Sequence, residues 1–197
     1  GNANDESGSG NNGSVSNANL TTDRFGNSNQ AYNFSDSQQS MITVNPSASL
    51  TITNDITFSA WFYPTDYTLG YIVDRDVCGA ANDWGLQWRD GKVKMRTQSN
   101  ENQIVSSVLN LNSWYHVVVT RESGVFTMYI NNSISSQGSG FNYSFSNTGN
   151  PVRIGDQSCT SPEPNFDGKI DDVGIWNRAL SSSEITTLYQ QTNAEAS

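Results

Sequence analysis

Few side chains in this chain are able to do acid–base or metal chemistry. There are 19 acidic residues, ten lysines and arginines and a single histidine, giving a formal net charge of −9. Glycoside hydrolysis needs two carboxyls flanking one bond, about 5–9.5 Å apart. Asp74/Asp76 and Asp171/Asp172 are the pairs closest in sequence, but adjacent residues of a regular strand point to opposite faces. The lone histidine, His116, lies in Trp114-Tyr115-His116-Val117-Val118-Val119 and reads as a strand residue with apolar neighbours. One histidine and two distant cysteines give zinc no ligand set. Catalysis is therefore not expected.

Calcium suits the chain better, since it takes six to eight oxygens from irregular loops rich in Gly, Asn and Asp. Asn4 to Gly13 is such a loop. Asp5, Asn11 and Asn12, with the carbonyls near Ser7 and Gly13, form a candidate structural calcium site; the alternative is that these residues only shape Asx turns. A second acidic set, Asp74, Asp76, Asp83 and Asp156, flanks Cys78 and Cys159. It would hold a cation, bond sugar hydroxyls or remain solvated. The two cysteines sit in Gly/Pro/Asp-rich segments and are expected to form one disulfide between those loops, the alternative being two unrelated thiols.

Sugar recognition needs flat aromatic faces beside convergent polar groups. Trp84, at a strand's loop end, is the favoured stacking residue, although Trp84, Leu86 and Trp88 share one face and at least one ring should be core. Tyr67 and Tyr71 are weaker candidates, and Tyr143 weaker again. Half of the cations, Arg75, Arg89, Lys92, Lys94 and Arg96, fall between 75 and 96. Lys92, Lys94 and Arg96 alternate with Val93 and Met95, so they share one strand face. Such a strip on an acidic protein suits an anionic glycan, sulfated or uronic; a solvated face cross-paired with Asp and Glu is the competing reading. The acidic balance excludes nucleic acid as a partner, which needs clustered cations.

The elements that must position these residues are strands. Ala31–Phe34, Met41–Val44, 58–63, 71–74, 84–88, 92–98, 114–121, 125–131, 152–155 and 169–176 are short, apolar and separated by turn residues. Phe58, Ala60 and Phe62 share one face of their strand, and Ser59, Trp61 and Tyr63 the other. Asp90-Gly91 signals a hairpin. One helix is expected, over 181–191, opened by a Ser181/Glu184 capping box. This pattern predicts an all-β, antiparallel two-sheet sandwich with one short C-terminal helix, a single domain over 1–197 with 192–197 frayed. Residues 1–30 read alone as linker. Asn and Ser supply 52 of the 197 residues. That polar, uncharged composition fits a secreted or cell-surface bacterial protein. No run of 18 apolar residues spans a membrane. The Gly at position 1 fits a processed piece, covalently linked to a neighbouring domain and monomeric.

Several segments together resemble laminin-G-like, concanavalin-A-like jelly-roll modules of bacterial secreted enzymes. They are the 2–13 loop, Phe58-Ser59-Ala60-Trp61, the 114–121 strand, Tyr129-Ile130-Asn131-Asn132, and Phe166-Asp167-Gly168-Lys169-Ile170-Asp171-Asp172-Val173-Gly174-Ile175-Trp176. The resemblance implies a jelly roll, a structural cation shared between the N-terminal loop and Asp171 and Asp172, and packing roles for Trp61, Trp114, Trp176 and His116. In such domains an apolar strand normally precedes the Asn/Asp/Gly loop, and none is present here. The E-x-D-x-x-E strand of glucanases with this fold is also absent. The function this implies is polysaccharide binding by a module attached to a degrading enzyme. The alternatives are a calcium-dependent protein-binding or adhesion module, or a structural spacer.

Overall fold

A computed structural model describes residues 1–75, 84–97, 100–139, 145, 149–157 and 164–191. In chain order the strands are β1 (Gly13–Ser16), β2 (Asn19–Thr21), β3 (Ala31–Phe34), β4 (Met41–Val44), β5 (Ile56–Pro64), β6 (Gly70–Arg75) and β7 (Trp84–Arg89). They continue with β8 (Lys92–Thr97), β9 (Asn100–Val105), β10 (Tyr115–Glu122), β11 (Val125–Ile130), β12 (Ser133–Gly138), β13 (Val152–Ile154) and β14 (Gly168–Trp176), before helix α1 (Ser182–Gln190). Two antiparallel sheets result. Sheet A has the order β1-β4-β13-β6-β7-β8-β9, and sheet B the order β12-β11-β10-β5-β14-β3-β2. The jelly-roll sandwich expected from the sequence is the architecture found.

Alternation sets the two layers. Phe58, Ala60 and Phe62 of β5 have no exposed surface and meet Leu86, Trp88, Val93 and Met95 from sheet A. Burying such side chains contributes about 1.5–3 kcal/mol each. Turn chemistry fixes the register. Asp90-Gly91 (φ 54° and 75°) and Asn131-Asn132 (φ 50° and 64°) both adopt the left-handed pairs that suit two-residue hairpins. The second turn launches β12, which the sequence pattern did not disclose.

The outer face of sheet B carries a smaller apolar cluster under α1: Val118, Leu180 and Ile185, with Tyr129, Trp176 and Leu188 against them. The helix starts where its chemistry requires. Ser181 Oγ accepts the Glu184 N–H while the Glu184 carboxylate accepts the Ser181 N–H at 2.8 Å. Arg178 braces that carboxylate, which with the cap holds Glu184 down at about 2.

Candidate functional site

Sheet A's outward face gathers most of the polar residues singled out above. Tyr71 pairs with Gln87, and Gln87 with Lys94; Arg153 pairs with Asp74, Asp74 with Gly85, and Gly85 with Arg96. Two rows of outward side chains therefore run across β13, β6, β7 and β8. Gly85 is required: a Cβ there would stand 2.2 Å from Asp74 Oδ1, so only glycine lets that carboxylate lie across β7. The Arg96 guanidinium lies over the Tyr71 ring at 5.9 Å. Gln87 Nε2 donates to Tyr71 Oη at 3.3 Å. Arg153 Nη1 donates to Asp156 Oδ2 at 2.9 Å and to the Gln157 carbonyl. Burial pushes the Asp156 carboxyl up, against the pull of Arg153. Gln87 Oε1 and Gln157 Nε2 are buried without a hydrogen-bond partner among the described residues. Such groups cost about 1–3 kcal/mol unless water or a ligand meets them.

Lys94, Arg96, Tyr71 and Asp156 thus come together on one face, with Lys92 beside them and Arg89 exposed at the hairpin end, ion-paired to Asp90. Arg153, Gln87 and Gln157 join them although the sequence reading passed over them. Tyr71 and Asp156 are themselves buried, so they can hold neighbours or present a polar atom but offer no stacking surface. Two residues are corrected. Trp84 is only 3% exposed and its ring lies 4.3 Å from that of Phe58, so it belongs to the core, as does Trp88. Arg75 is buried, donating to the Leu50 and Asn150 carbonyls, and ties β6 to loops instead of reaching a ligand. Asp76, Asp83, Tyr143 and the Cys78–Cys159 bridge lie outside the described residues.

The other candidate region joins the N-terminal loop to β14. Asp5, Ser7, Asn11, Gly13, Asp171 and Asp172 line one open cavity of about 740 Å³, so the two halves of the expected cation site do face a common space. Their oxygens, however, are engaged by the chain. Asp5 accepts the Ser7 and Asn11 N–H groups at 2.9 and 2.8 Å; hydrogen bonding from the Ser7 side chain, then from these N–H groups, holds its carboxyl below the usual range, and Asn12 Oδ1 accepts the Asp5 N–H. These are the Asx turns of the alternative reading. A bulge in β14 between Asp171 and Gly174, with Asp172 at φ 46°, brings both carboxylates to one side, which the regular-strand expectation excluded. The cation between them is Arg24: Nη1 lies 3.2 Å from Asp171 Oδ2 and 2.8 Å from Asp172 Oδ2. Among the described residues no group of three or more His, Cys, Asp or Glu side chains is placed to hold a metal. Arg24 thus stands between the β14 carboxylates, where the expected calcium ion shared between loop and strand would have to compete with it.

Arg24 also lies 4.5 Å over the rings of Phe25 and Trp61. Trp61 stacks in turn on His116 and on Tyr189 of α1. Burial, with Asp172 nearby, pushes Asp171 up to about 7 despite Arg24. Burial and Arg24 press His116 down to about 4, and its Nε2 shares a 2.8 Å hydrogen bond with Ser59 Oγ. His116 is a neutral core residue, as the resemblance implied. The sequence carried one signal for Arg24: it is the sole cation in the first 74 residues.

A profile of the concanavalin A-like lectin/glucanases superfamily, of the laminin G type, matches residues 36–186, and the chain belongs to that family. Adhesion G-protein coupled receptor V1 of Danio rerio is 26% identical over an alignment 149 residues long that covers 70% of this chain and 2% of the receptor. Among solved structures, domain 4 of AbnA, an extracellular arabinanase of Geobacillus stearothermophilus solved with arabinotriose, superposes with a TM-score of 0.74 at 20% identity, covering 96% of this chain and 93% of that one. The binding domain of Paraclostridial Mosquitocidal Protein 1 superposes at 0.73 with 20% identity, covering 94% of this chain and 48% of that one. These likenesses show the fold. No helix among the described residues is long and apolar enough to cross a membrane.

Proposed function

We propose that this chain is a non-catalytic carbohydrate-binding module that holds an anionic polysaccharide on the outward face of sheet A. The observation that carries the reading is that Lys92, Lys94, Arg96 and Arg153 share this one sheet face, in a chain of net charge −9. Guanidinium forks and ammonium groups match carboxylate and sulfate oxygens. The likeness in fold to an arabinanase domain supports a binding role beside a catalytic neighbour, where attachment raises the enzyme's effective concentration on its polymer. The module is secreted or displayed at a bacterial surface and acts as a monomer. It invokes no metal.

Affinity electrophoresis in gels cast with arabinan, polygalacturonate or a sulfated galactan tests this. Salt-sensitive retardation by an anionic polymer, lost in Lys94→Ala/Arg96→Ala, is expected. A folded chain retarded by no polymer overturns it. The 26% identity to a receptor of the adhesion class favours a second reading, a protein-binding module, which a pull-down of a defined protein partner without any glycan response would support.

A further inference from the structure

Sheet B has an outward face of its own, and α1 covers only part of it. Tyr189 of the helix lies on Trp61, in the cross-strand row Asp171–Trp61–His116. The next outward row lies clear of that contact. Asn19 pairs with Asn33, Asn33 with Lys169, and Lys169 with Tyr63. Trp114, which immediately precedes β10, stands beside Tyr63 with ring centroids 5.6 Å apart. Four adjacent strand positions and the residue before β10 thus present two amides, an ammonium group, a phenol and an indole in a line. At about 4.8 Å per strand the line is about 19 Å long.

Packing does not account for its aromatic end. Trp61, Trp84 and Trp88 are buried, and Trp176 packs into the cluster under α1. Tyr63 and Trp114 are half-buried and belong to neither apolar cluster. Trp114 packs against Tyr63, yet part of its surface stays open on this face. Asn19 and Asn33 are exposed. Lys169 Nζ sits 5.3 Å from the Tyr63 ring centre and donates to Thr22 Oγ1 at 3.1 Å, so the ammonium is held in place beside the phenol.

We propose that this row is a second glycan-binding surface, taking a linear oligosaccharide of three or more sugar residues laid across the strands. One sugar's C–H face stacks on Trp114 and Tyr63. Lys169 meets a hydroxyl, carboxylate or sulfate of the next, and the Asn33 and Asn19 amides bond the hydroxyls beyond. The inference rests on the carbohydrate-binding reading and adds a site on the opposite side of the sandwich from the cationic face.

Titration calorimetry of the whole chain with arabinotriose and with trigalacturonate separates the two. Two oligosaccharides per chain are expected. Trp114→Ala should remove one of them, or weaken it by at least about tenfold, and abolish the fluorescence change on binding. Trp114→Phe, which keeps a ring, should restore the site. Trp114 is partly buried against Tyr63, so the alanine variant is melted alongside and titrated well below its Tm, and lost binding would then not reflect unfolding. One site per chain, lost in Lys94→Ala/Arg96→Ala and intact in Trp114→Ala, overturns the second surface and leaves the first. Binding lost only in Trp114→Ala supports the row and overturns the cationic face. No binding of either sugar overturns both.

Discussion

Removing Arg24 should cost stability in a way that depends on pH. The Arg24 side chain is 7% exposed, and its partners Asp171 and Asp172 are 11% and 54% exposed. Breaking a buried ion pair by deleting one partner typically costs about 3–5 kcal/mol. The pair with Asp172 is half in solvent and counts for much less. Two cation–π contacts add about 0.5–1 kcal/mol each. Against this, Asp171 already sits near pH 7 and can escape by taking up a proton. Arg24→Ala is therefore expected to lose about 3 kcal/mol at pH 8, where the orphaned carboxyl must bind a proton or stay charged, and about 1–2 kcal/mol at pH 5, where it is already neutral. For a chain of this size the pH 8 loss corresponds to about 6–12 °C in Tm. Urea titrations at both pH values measure it. A loss below about 1 kcal/mol at pH 8, or equal losses at both pH values, would refute the reasoning that Arg24 is the counter-cation of β14.

Asp171 has a folded pKa raised to about 7 from 3.8, so its contribution to stability is fully present below about 3.8 and is lost as pH rises through about 7. Asp171→Asn should flatten the fall in Tm between about pH 4 and 7. His116, depressed from 6.5 to about 4, contributes stability above pH 6.5 that is lost as pH falls toward 4, so a neutral replacement should soften acid unfolding in that window. Gly85→Ala forces a Cβ against Asp74 and is expected to cost about 1–3 kcal/mol and to disturb binding on sheet A, measured by melting and affinity electrophoresis. Chelation should leave Tm unchanged; stabilisation by several degrees on adding calcium would show that the loop oxygens, though engaged, still bind a cation.

Strands built on strong alternation were legible. β5, β7, β8 and β10 carry apolar residues every second position and bury them, and the Asp90-Gly91 turn and the Ser181–Glu184 cap act through local chemistry that no distant contact changes. β1, β2, β9 and β12 went unseen because Ser, Asn, Gly and Gln interrupt their few apolar residues, so pairing depends on a neighbouring strand supplying hydrogen bonds rather than on a side-chain pattern. The site was legible in part for the same reason. That Lys94 and Arg96 share a face follows from strand period. That Trp84 faces the core, and that Arg153 shares a cross-strand row with Arg96 across β6 and β7, follows only from which strands adjoin.

The chain's own residues determined the fold class, the hairpin and helix boundaries and the acidic charge, because period, turn propensity and residue type are local properties. The tertiary structure decided what each charged group meets. It placed Arg24 between two carboxylates 147 and 148 positions away, bent β14 so that both could reach it, buried Arg75 among carbonyls, and left Tyr63 and Trp114 outside both cores. Side-chain partners are set by sheet order and by bulges, which long-range packing selects and no short stretch of sequence contains.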